Sequence, residues 1–253
     1  MSEKLDRTGE VSCNKFGSKM IITRYGNYND IDVYFPEYDW SCTHRTYSNF
    51  KKGSIKCKYE RRYYGHGYIG DGIAPLDAKN KTPFKIWLNL LKRCYDYKLY
   101  EKQPTYVNCT MCDEWHNYNT FYKWYEENYY EIPGERMCLD KDILIKGNKV
   151  YSSESCVFTP QSINNLFLKR EAGRGEYPIG VSYNKTNGKF RVSCNNEYKE
   201  SVDLGSFNNP IDAFNEYKRF KELTIKKKAD LYKDIIPKKL YDALYKYEVE
   251  ITD

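Results

Sequence analysis

The fold of the C-terminal third is decided by the stretch Asn187–Cys194, which reads NGKFRVSC. Asn-Gly is the strongest short hairpin signal, because both residues tolerate the positive φ angles of a tight two-residue turn. In the strand that follows, successive side chains point to opposite faces. One face receives Lys189, Arg191 and Ser193, and the other receives Phe190, Val192 and Cys194. The stretch therefore predicts a hairpin strand with a basic, polar face and a face that packs on a helix.

The neighbouring segments complete this module. Strand-forming runs at 181–183, 189–194 and 198–204 predict three strands, and Asn209-Pro210 opens a long helix. Apolar residues at 3–4 residue spacing mark the buried side of that helix, namely Ile211, Phe214, Tyr217, Leu223 and Thr224. We predict a three-stranded sheet packed on one helix over 177–236, followed by an acidic tail at 237–253.

Composition bounds the class of protein. The 253 residues carry a net charge of +6, with 27 tyrosines and nine cysteines. No stretch approaches 18 consecutive apolar residues, which excludes a transmembrane helix. The N-terminus has no apolar signal region, so we expect a cytoplasmic protein with reduced thiols and no membrane partner. The mildly basic balance allows a nucleic-acid partner without proving one.

Residues 1–72 are predicted to form a β-rich module. In the run Ile31–Phe35, apolar and polar residues alternate as in a half-buried strand, and glycine-containing turns suggest a small antiparallel sheet or half-open barrel. A basic and aromatic segment follows, with Lys51, Lys52, Arg61 and Arg62 among tyrosines. Such a segment can neutralise phosphates and stack on bases. A solvated face with core tyrosines is the alternative.

Residues 83–168 are predicted to form a second α+β module, set off by linkers at 73–82 and 169–176. Helical spacing predicts helices over 83–96 and 113–129. A turn signal at Lys146–Asn148 predicts a β-hairpin between 137–144 and 149–151. Thr159 followed by Pro160 predicts a capped short helix.

This second module resembles the HNH endonuclease-like proteins of bacteriophages. The matching residues are Trp87, Arg93–Tyr95, Cys112–Trp115, Leu139–Asp142, Gly147–Lys149, Tyr151–Phe158 and Ile163–Asn165. The resemblance implies a hairpin plus helix that holds one divalent metal, Mg²⁺ or Mn²⁺, and a histidine as general base.

Lys141 departs from that pattern, because it stands where the resemblance places the general-base histidine. A protonated lysine takes no proton at neutral pH unless it is strongly desolvated. The prediction therefore favours a non-catalytic, degenerate site. If the module does cleave DNA, the catalytic residues would be Asp140, Asp142, Asn148 and Asn164.

Residues 177–232 resemble the APETALA-type DNA-binding domain, which in phages often follows an HNH module. The resemblance rests on Tyr177–Val181, Gly188–Val192, Leu204–Phe207 and Ile211–Tyr217. It implies a sheet that lies in the major groove of double-stranded DNA. The implied contact residues are Tyr183, Lys185, Lys189, Arg191 and Lys199. An ordinary solvated sheet face is the alternative.

Cys109 and Cys112 form a single CxxC pair, which is a weak signal for zinc because no second pair accompanies it. Buried, reduced thiols are the alternative.

The sequence as a whole predicts a multi-module α+β phage protein that binds DNA. The alternative is a phage anti-defence protein that inhibits a host immune complex through protein–protein contacts. It would use tyrosine anchors such as Tyr63, Tyr64, Tyr129 and Tyr130.

Overall fold

The computed structural model describes residues 5–72, 74–76, 83–168 and 176–253. They form helices and sheets in two compact units. The first unit contains residues 1–127 and 149–152, and the second contains 128–148 and 153–253. The α+β class is confirmed. The module boundaries stay a prediction, and most of the two predicted linkers lies outside the described residues.

The first unit begins with an antiparallel sheet of four strands in chain order. They are β1 (Val11–Cys13), β2 (Lys19–Asn27), β3 (Asp30–Phe35) and β4 (Trp40–Arg45). In β3, Ile31, Val33 and Phe35 are fully buried, which confirms the predicted alternation. Helix α1 (Tyr47–Lys51) adds Phe50 to the same core.

Two further helices of the first unit confirm the predicted positions in part. Helix α2 (Pro83–Tyr95) matches the predicted helix, and α3 (Tyr97–Lys102) follows it. The helix predicted over 113–129 is divided into a 3₁₀ turn, Asp113–His116, and α4 (Tyr118–Asn128). The division occurs because the Tyr68 N–H donates to the His116 carbonyl and the Tyr68 carbonyl accepts from Tyr118 N–H, both at 2.9 Å.

The hairpin predicted over 137–151 is wrong. A parallel pair joins β5 (Thr110–Met111) to β7 (Val150–Tyr151), while β6 (Met137–Asp140) pairs antiparallel with β8 (Val157–Pro160). Asp140 Oδ1 accepts hydrogen bonds from the N–H groups of Asp142 and Ile143, each at 2.8 Å. This side-chain turn ends β6, so residues 141–148 form a loop.

The helix predicted at Thr159 begins later. Thr159 lies in β8, and its buried hydroxyl has no hydrogen-bond partner among the residues that the structure describes, so it does not cap the helix. Helix α5 (Gln161–Asn164) starts after Pro160 and continues into a 3₁₀ turn, Asn165–Phe167.

The second unit contains the predicted three-stranded antiparallel sheet. Its order is β11 (Ser201–Phe207), β10 (Lys189–Asn195) and β9 (Val181–Asn184). Helix α6 (Pro210–Asp230) begins where the sequence predicts, because Asn209 Oδ1 accepts from the N–H groups of Ile211 and Asp212 at 3.1 and 2.9 Å.

The packing of α6 follows the predicted pattern except at two residues. Val192 and Cys194 of β10 share a core with Phe214 and Tyr217 of α6. Ile211 and Leu223, which the spacing places on the buried side, are 52% and 42% exposed. Further along the helix, Ile225 and Ala229 are buried instead, in a second core.

The segment predicted as a tail is partly helical. It contains α7 (Lys238–Tyr245), whose Leu240 and Leu244 are buried in the core that also holds Ile225 of α6. No helix in the part of the chain that the structure describes is long and apolar enough to cross a membrane.

Replacing Gly180 with alanine should destabilise the second unit. Gly180 has φ of +77°, and a Cβ there would lie 2.0 Å from Cδ2 of Tyr217. We expect Gly180→Ala to lower the free energy of unfolding in urea by about 2–4 kcal/mol, from the left-handed backbone and overpacking together. Gly147→Ala is the matched control, since its φ is also +77° but nothing lies within 4 Å of its Cβ position. Equal losses in the two variants would contradict this account.

Candidate nucleic-acid interface

One side of the sheet β9–β10–β11 is polar and exposed. In β10, Lys189, Arg191 and Ser193 are exposed while Val192 and Cys194 are buried, as predicted. Residues directly opposite each other on paired strands share a face. The register pairs Arg191 with Ser182 on β9 and Ser206 on β11, and it pairs Ser193 with Asp203. We call this surface the polar face, and it consists of Ser182, Lys189, Arg191, Ser193, Asp203 and Ser206.

Tyr183 does not belong to the polar face. It is paired across the ladder with Phe190, and the two ring centroids lie 5.1 Å apart. Phe190 packs against the core beneath α6, so Tyr183 lies at the edge of that opposite side. Tyr183 is 41% exposed there.

Arg191 has a partner within the polar face. Its Nη2 lies 2.7 Å from Oδ2 of Asp203, and both side chains are more than half exposed. A backbone hydrogen bond from Gly205, followed by the Arg191 guanidinium, lowers the pKa of Asp203. A phosphate that binds Arg191 would therefore compete with Asp203 for the guanidinium or share it.

The other predicted basic residues lie at the two ends of the sheet. Lys185 follows β9 in the turn that leads to Lys189, and Lys199 lies with a φ of +70° in the turn between β10 and β11. Because β10 has seven residues, these two turns are about 20 Å apart. Basic groups therefore lie at both ends of the polar face.

The predicted basic cluster of the first unit has only part of its charge available. Lys51 lies at the end of α1, with its Nζ 3.3 Å from Oε1 of Glu10, and Lys52 is the exposed residue after it.

Of the two arginines in this cluster, Arg62 is held by its neighbours and Arg61 is exposed. The Arg62 guanidinium carbon lies 5.2 Å from the centroid of Tyr63, and its Nη1 is buried without a hydrogen-bond partner in the described part of the chain. Arg61 is exposed, 6.0 Å from the centroid of Tyr68. Lys52 and Arg61 are thus the more accessible charges of this cluster.

The last residue of β6 and the loop 141–148 in the second unit bring together three of the four predicted catalytic residues, Asp140, Asp142 and Asn148. The Lys141 ammonium donates to Oδ2 of Asp142 at 3.0 Å and to the carbonyl of Asn148 at 2.9 Å. The Asn148 amide donates back to the Lys141 carbonyl at 2.7 Å. Burial and the neighbouring Asp142 raise the pKa of Asp140 to about 6. Asn164, the fourth residue, lies in α5.

A divalent ion does not fit this loop. An ammonium has three donors and no acceptor, so Lys141 can neither ligate a metal nor take a proton while it is charged. The Lys141 ammonium is already paired with the Asp142 carboxylate, one of the two groups that would have to bind the ion. Within the described residues, no group of three or more His, Cys, Asp or Glu side chains could hold a metal ion.

Cys109 and Cys112 lie on either side of β5 (Thr110–Met111). Cys109 is buried, and its Sγ lies 3.8 Å from the carbonyl of Thr105. Cys112 is partly buried and precedes the 3₁₀ turn Asp113–His116.

The structure also forms a cluster in the first unit that sequence reasoning did not assemble. The ring of His66 stacks on Tyr95 at 3.7 Å, and the Tyr95 hydroxyl lies 2.7 Å from Nε2 of His116. Burial lowers the pKa of both histidines and raises the pKa of Tyr95 to about 12. At neutral pH the cluster is therefore uncharged. The three residues are far apart in sequence, and no spacing signals their contact.

Comparison of the chain with protein-family models, with curated proteins and with solved structures finds no match in any of the three.

Asp140 should make stability depend on pH. In the folded protein the pKa of Asp140 is about 6, above the value of about 3.9 that an aspartate has in the unfolded chain. The contribution of Asp140 to the free energy of unfolding is therefore complete below about pH 3.9 and is lost as the pH rises through about 6. Asp140→Asn keeps the oxygen that accepts the two backbone hydrogen bonds and removes the charge. At about pH 8 we expect the variant to have a free energy of unfolding in urea that is higher than that of the parent by about 1–2 kcal/mol. At about pH 4 we expect the two free energies of unfolding to be equal.

The control is Asp234→Asn, which changes an exposed carboxyl of the same unit. A gain for Asp140→Asn that is the same at both pH values would show that the charge of Asp140 is not its cause.

Proposed function

We propose that the chain binds double-stranded DNA through the polar face of β9–β10–β11. The observation that carries the proposal is the alternation in β10, where Lys189 and Arg191 are exposed opposite a side that is closed by α6. A sheet face that does not contribute to the core and carries basic groups at both ends can bind a phosphate backbone. A β-sheet can read the major groove, which fits the proposed APETALA-type domain.

The small polar residues between the basic ends support base contacts. Ser182, Ser193 and Ser206 are exposed, and a serine hydroxyl can both donate and accept a hydrogen bond at a base edge. Lys189 and Arg191 would supply the phosphate contacts and the salt dependence.

We further propose that residues 83–168 are an HNH-like module without cleavage activity. The support is the Lys141 ammonium, which donates hydrogen bonds to the Asp142 carboxylate and to the Asn148 carbonyl. With a cation of the protein bound to Asp142, the loop has no free pair of carboxylates, and it contains no histidine to act as the general base.

The double variant Lys189→Ala, Arg191→Ala should weaken duplex binding and its dependence on salt. Each lost phosphate contact lowers the slope of log K against log salt by about 0.9, so the slope should fall by about 2. Fluorescence anisotropy with a labelled duplex, titrated from about 50 mM to 0.5 M salt, measures both quantities.

The matched control replaces Lys85 and Lys92, two exposed lysines of α2, with alanine and so removes the same charge elsewhere. Asp203→Asn, which frees Arg191 from its carboxylate partner, should tighten binding. If the double variant binds as the parent does at every salt concentration, the polar face is not the DNA-binding surface.

The same protein incubated with plasmid DNA and Mg²⁺ or Mn²⁺ should leave the plasmid intact. Metal-dependent cutting that Asp140→Ala abolishes would restore the nuclease interpretation.

Inhibition of a host defence complex is the second candidate, and exposed tyrosines favour it. Tyr97 and Tyr198 are 71% and 66% exposed and could anchor a protein interface. Of the anchors that the sequence suggests, however, Tyr63 packs on Trp87 and Tyr129 on Phe158. Failure to bind DNA at low salt, together with salt-resistant capture of a host complex, would favour this candidate.

A further inference from the structure

Three ring side chains of the first unit join segments that are far apart in its sequence. His66 belongs to the loop 61–68, Tyr95 is the last residue of α2, and His116 is the last residue of its 3₁₀ turn. The rings of His66 and Tyr95 are stacked, with their centroids 3.7 Å apart and their planes 13° apart. The Tyr95 hydroxyl lies 2.7 Å from Nε2 of His116. We call this three-residue contact the latch.

The loop 61–68 is attached to the rest of the first unit at the latch. The Tyr68 N–H donates to the carbonyl of His116 at 2.9 Å, so the backbone of the loop is bonded to the residue that Tyr95 contacts. Tyr63 of the loop also packs on Trp87 of α2, with ring centroids 5.2 Å apart, and this contact carries no charge in acid. A change in pH therefore acts on this attachment through the latch.

His116 is the member of the latch that has to stay neutral. The Asp113 carboxylate lies 3.6 Å from its Nδ1, which places the imidazole proton on Nδ1 and leaves Nε2 to accept the hydrogen bond from Tyr95. A protonated imidazole has two donors and no acceptor. Because His116 is only 6% exposed, water does not readily replace the lost acceptor of the Tyr95 O–H.

The charges around His116 also resist its protonation. Burial lowers the pKa of His116 most, and His66 and Arg61 of the loop lower it as well. The ring centroids of the two histidines are 5.6 Å apart. Asp113 and Glu114 raise the pKa, but the Asp113 side chain is fully exposed, so solvent screens its charge. His66 is neutral for a similar reason, since burial and then Arg61 lower its pKa.

We propose that the latch is a pH-dependent switch, which holds the loop 61–68 on α2 at neutral pH and lets it open in acid. An open loop exposes both histidines to water, where they take up protons more readily than in the latch. The loop also carries Arg61 and Arg62, so its opening adds positive charge to the surface of the first unit. The switch is independent of the proposed DNA binding by the second unit.

Hydrogen exchange of the Tyr68 amide tests the proposal, because this N–H loses its acceptor when the loop opens. The stabilising effect of a neutral histidine is complete above the ordinary pKa of about 6.5 and is lost as the pH falls through the folded pKa. In the full-length protein we expect the protection factor of Tyr68 to fall about tenfold for each pH unit over that interval. Asp140 lies in the other unit and changes stability in the opposite direction.

His116→Gln removes the charge that acid would create, and its side-chain carbonyl can still accept from Tyr95. We expect this variant to keep most of the protection of Tyr68 when the pH is lowered from about 7.5 to about 5. His44→Gln is the matched control, since it replaces an exposed histidine of the same unit and should leave the pH dependence of the parent unchanged.

The proposal is overturned if Tyr68 of the parent is equally protected at both pH values, or if His116→Gln loses protection as the parent does. If His116→Gln does not fold, NMR titration of the parent decides, because the chain has only three histidines to assign. The fall in Tyr68 protection must then level off at the pH at which His116 titrates. A fall that does not follow His116 also overturns the proposal.

Discussion

The second unit depends on one helix that is buried in two cores. The first half of α6 packs Phe214 and Tyr217 against the sheet, and its second half packs Ile225 and Ala229 against the core that α5 and α7 complete. At 1.5 Å per residue, its 21 residues span about 31 Å. Because the sheet rests on α6 on one side, its opposite side has no packing role and can remain polar.

How far the sequence predicts this architecture depends on the range of the interactions. The β10 alternation and the cap at Asn209 are local, and both are present. The hairpin at Asn187-Gly188 is also present, but its loop has four residues, 185–188, instead of two, and of this pair only Gly188 has a positive φ, +69°. The hairpin over 137–151 fails because the partners of β6 and β7 are distant strands. The break at Asn117 likewise depends on Tyr68, almost fifty residues earlier.

The candidate site also has features that the sequence predicts and features that depend on distant contacts. Periodicity alone places Lys189 and Arg191 on one exposed face. It does not place Tyr183, because the face of a residue on β9 depends on the register with β10. The Arg191–Asp203 pair is also invisible in the sequence, since a bulge between Val192 and Ser193 shifts the register that brings Asp203 beside Arg191. The contact of Lys141 with Asn148 cannot be predicted from the sequence either, because it depends on the path of the loop between them.

The two cations that matter most to the proposed function differ in burial, and this difference sets what each can do. Arg191 is 57% exposed on its side chain, and an exposed ion pair contributes about 0–1 kcal/mol, so Asp203 can be exchanged for a phosphate at little cost. Lys141 is only 10% exposed on its side chain although its partner Asp142 is 48% exposed, and the Lys141 ammonium also donates to the Asn148 carbonyl at 2.9 Å. Because a mostly buried cation is costly without such partners, Lys141 stabilises its loop, whereas Arg191 remains available to bind.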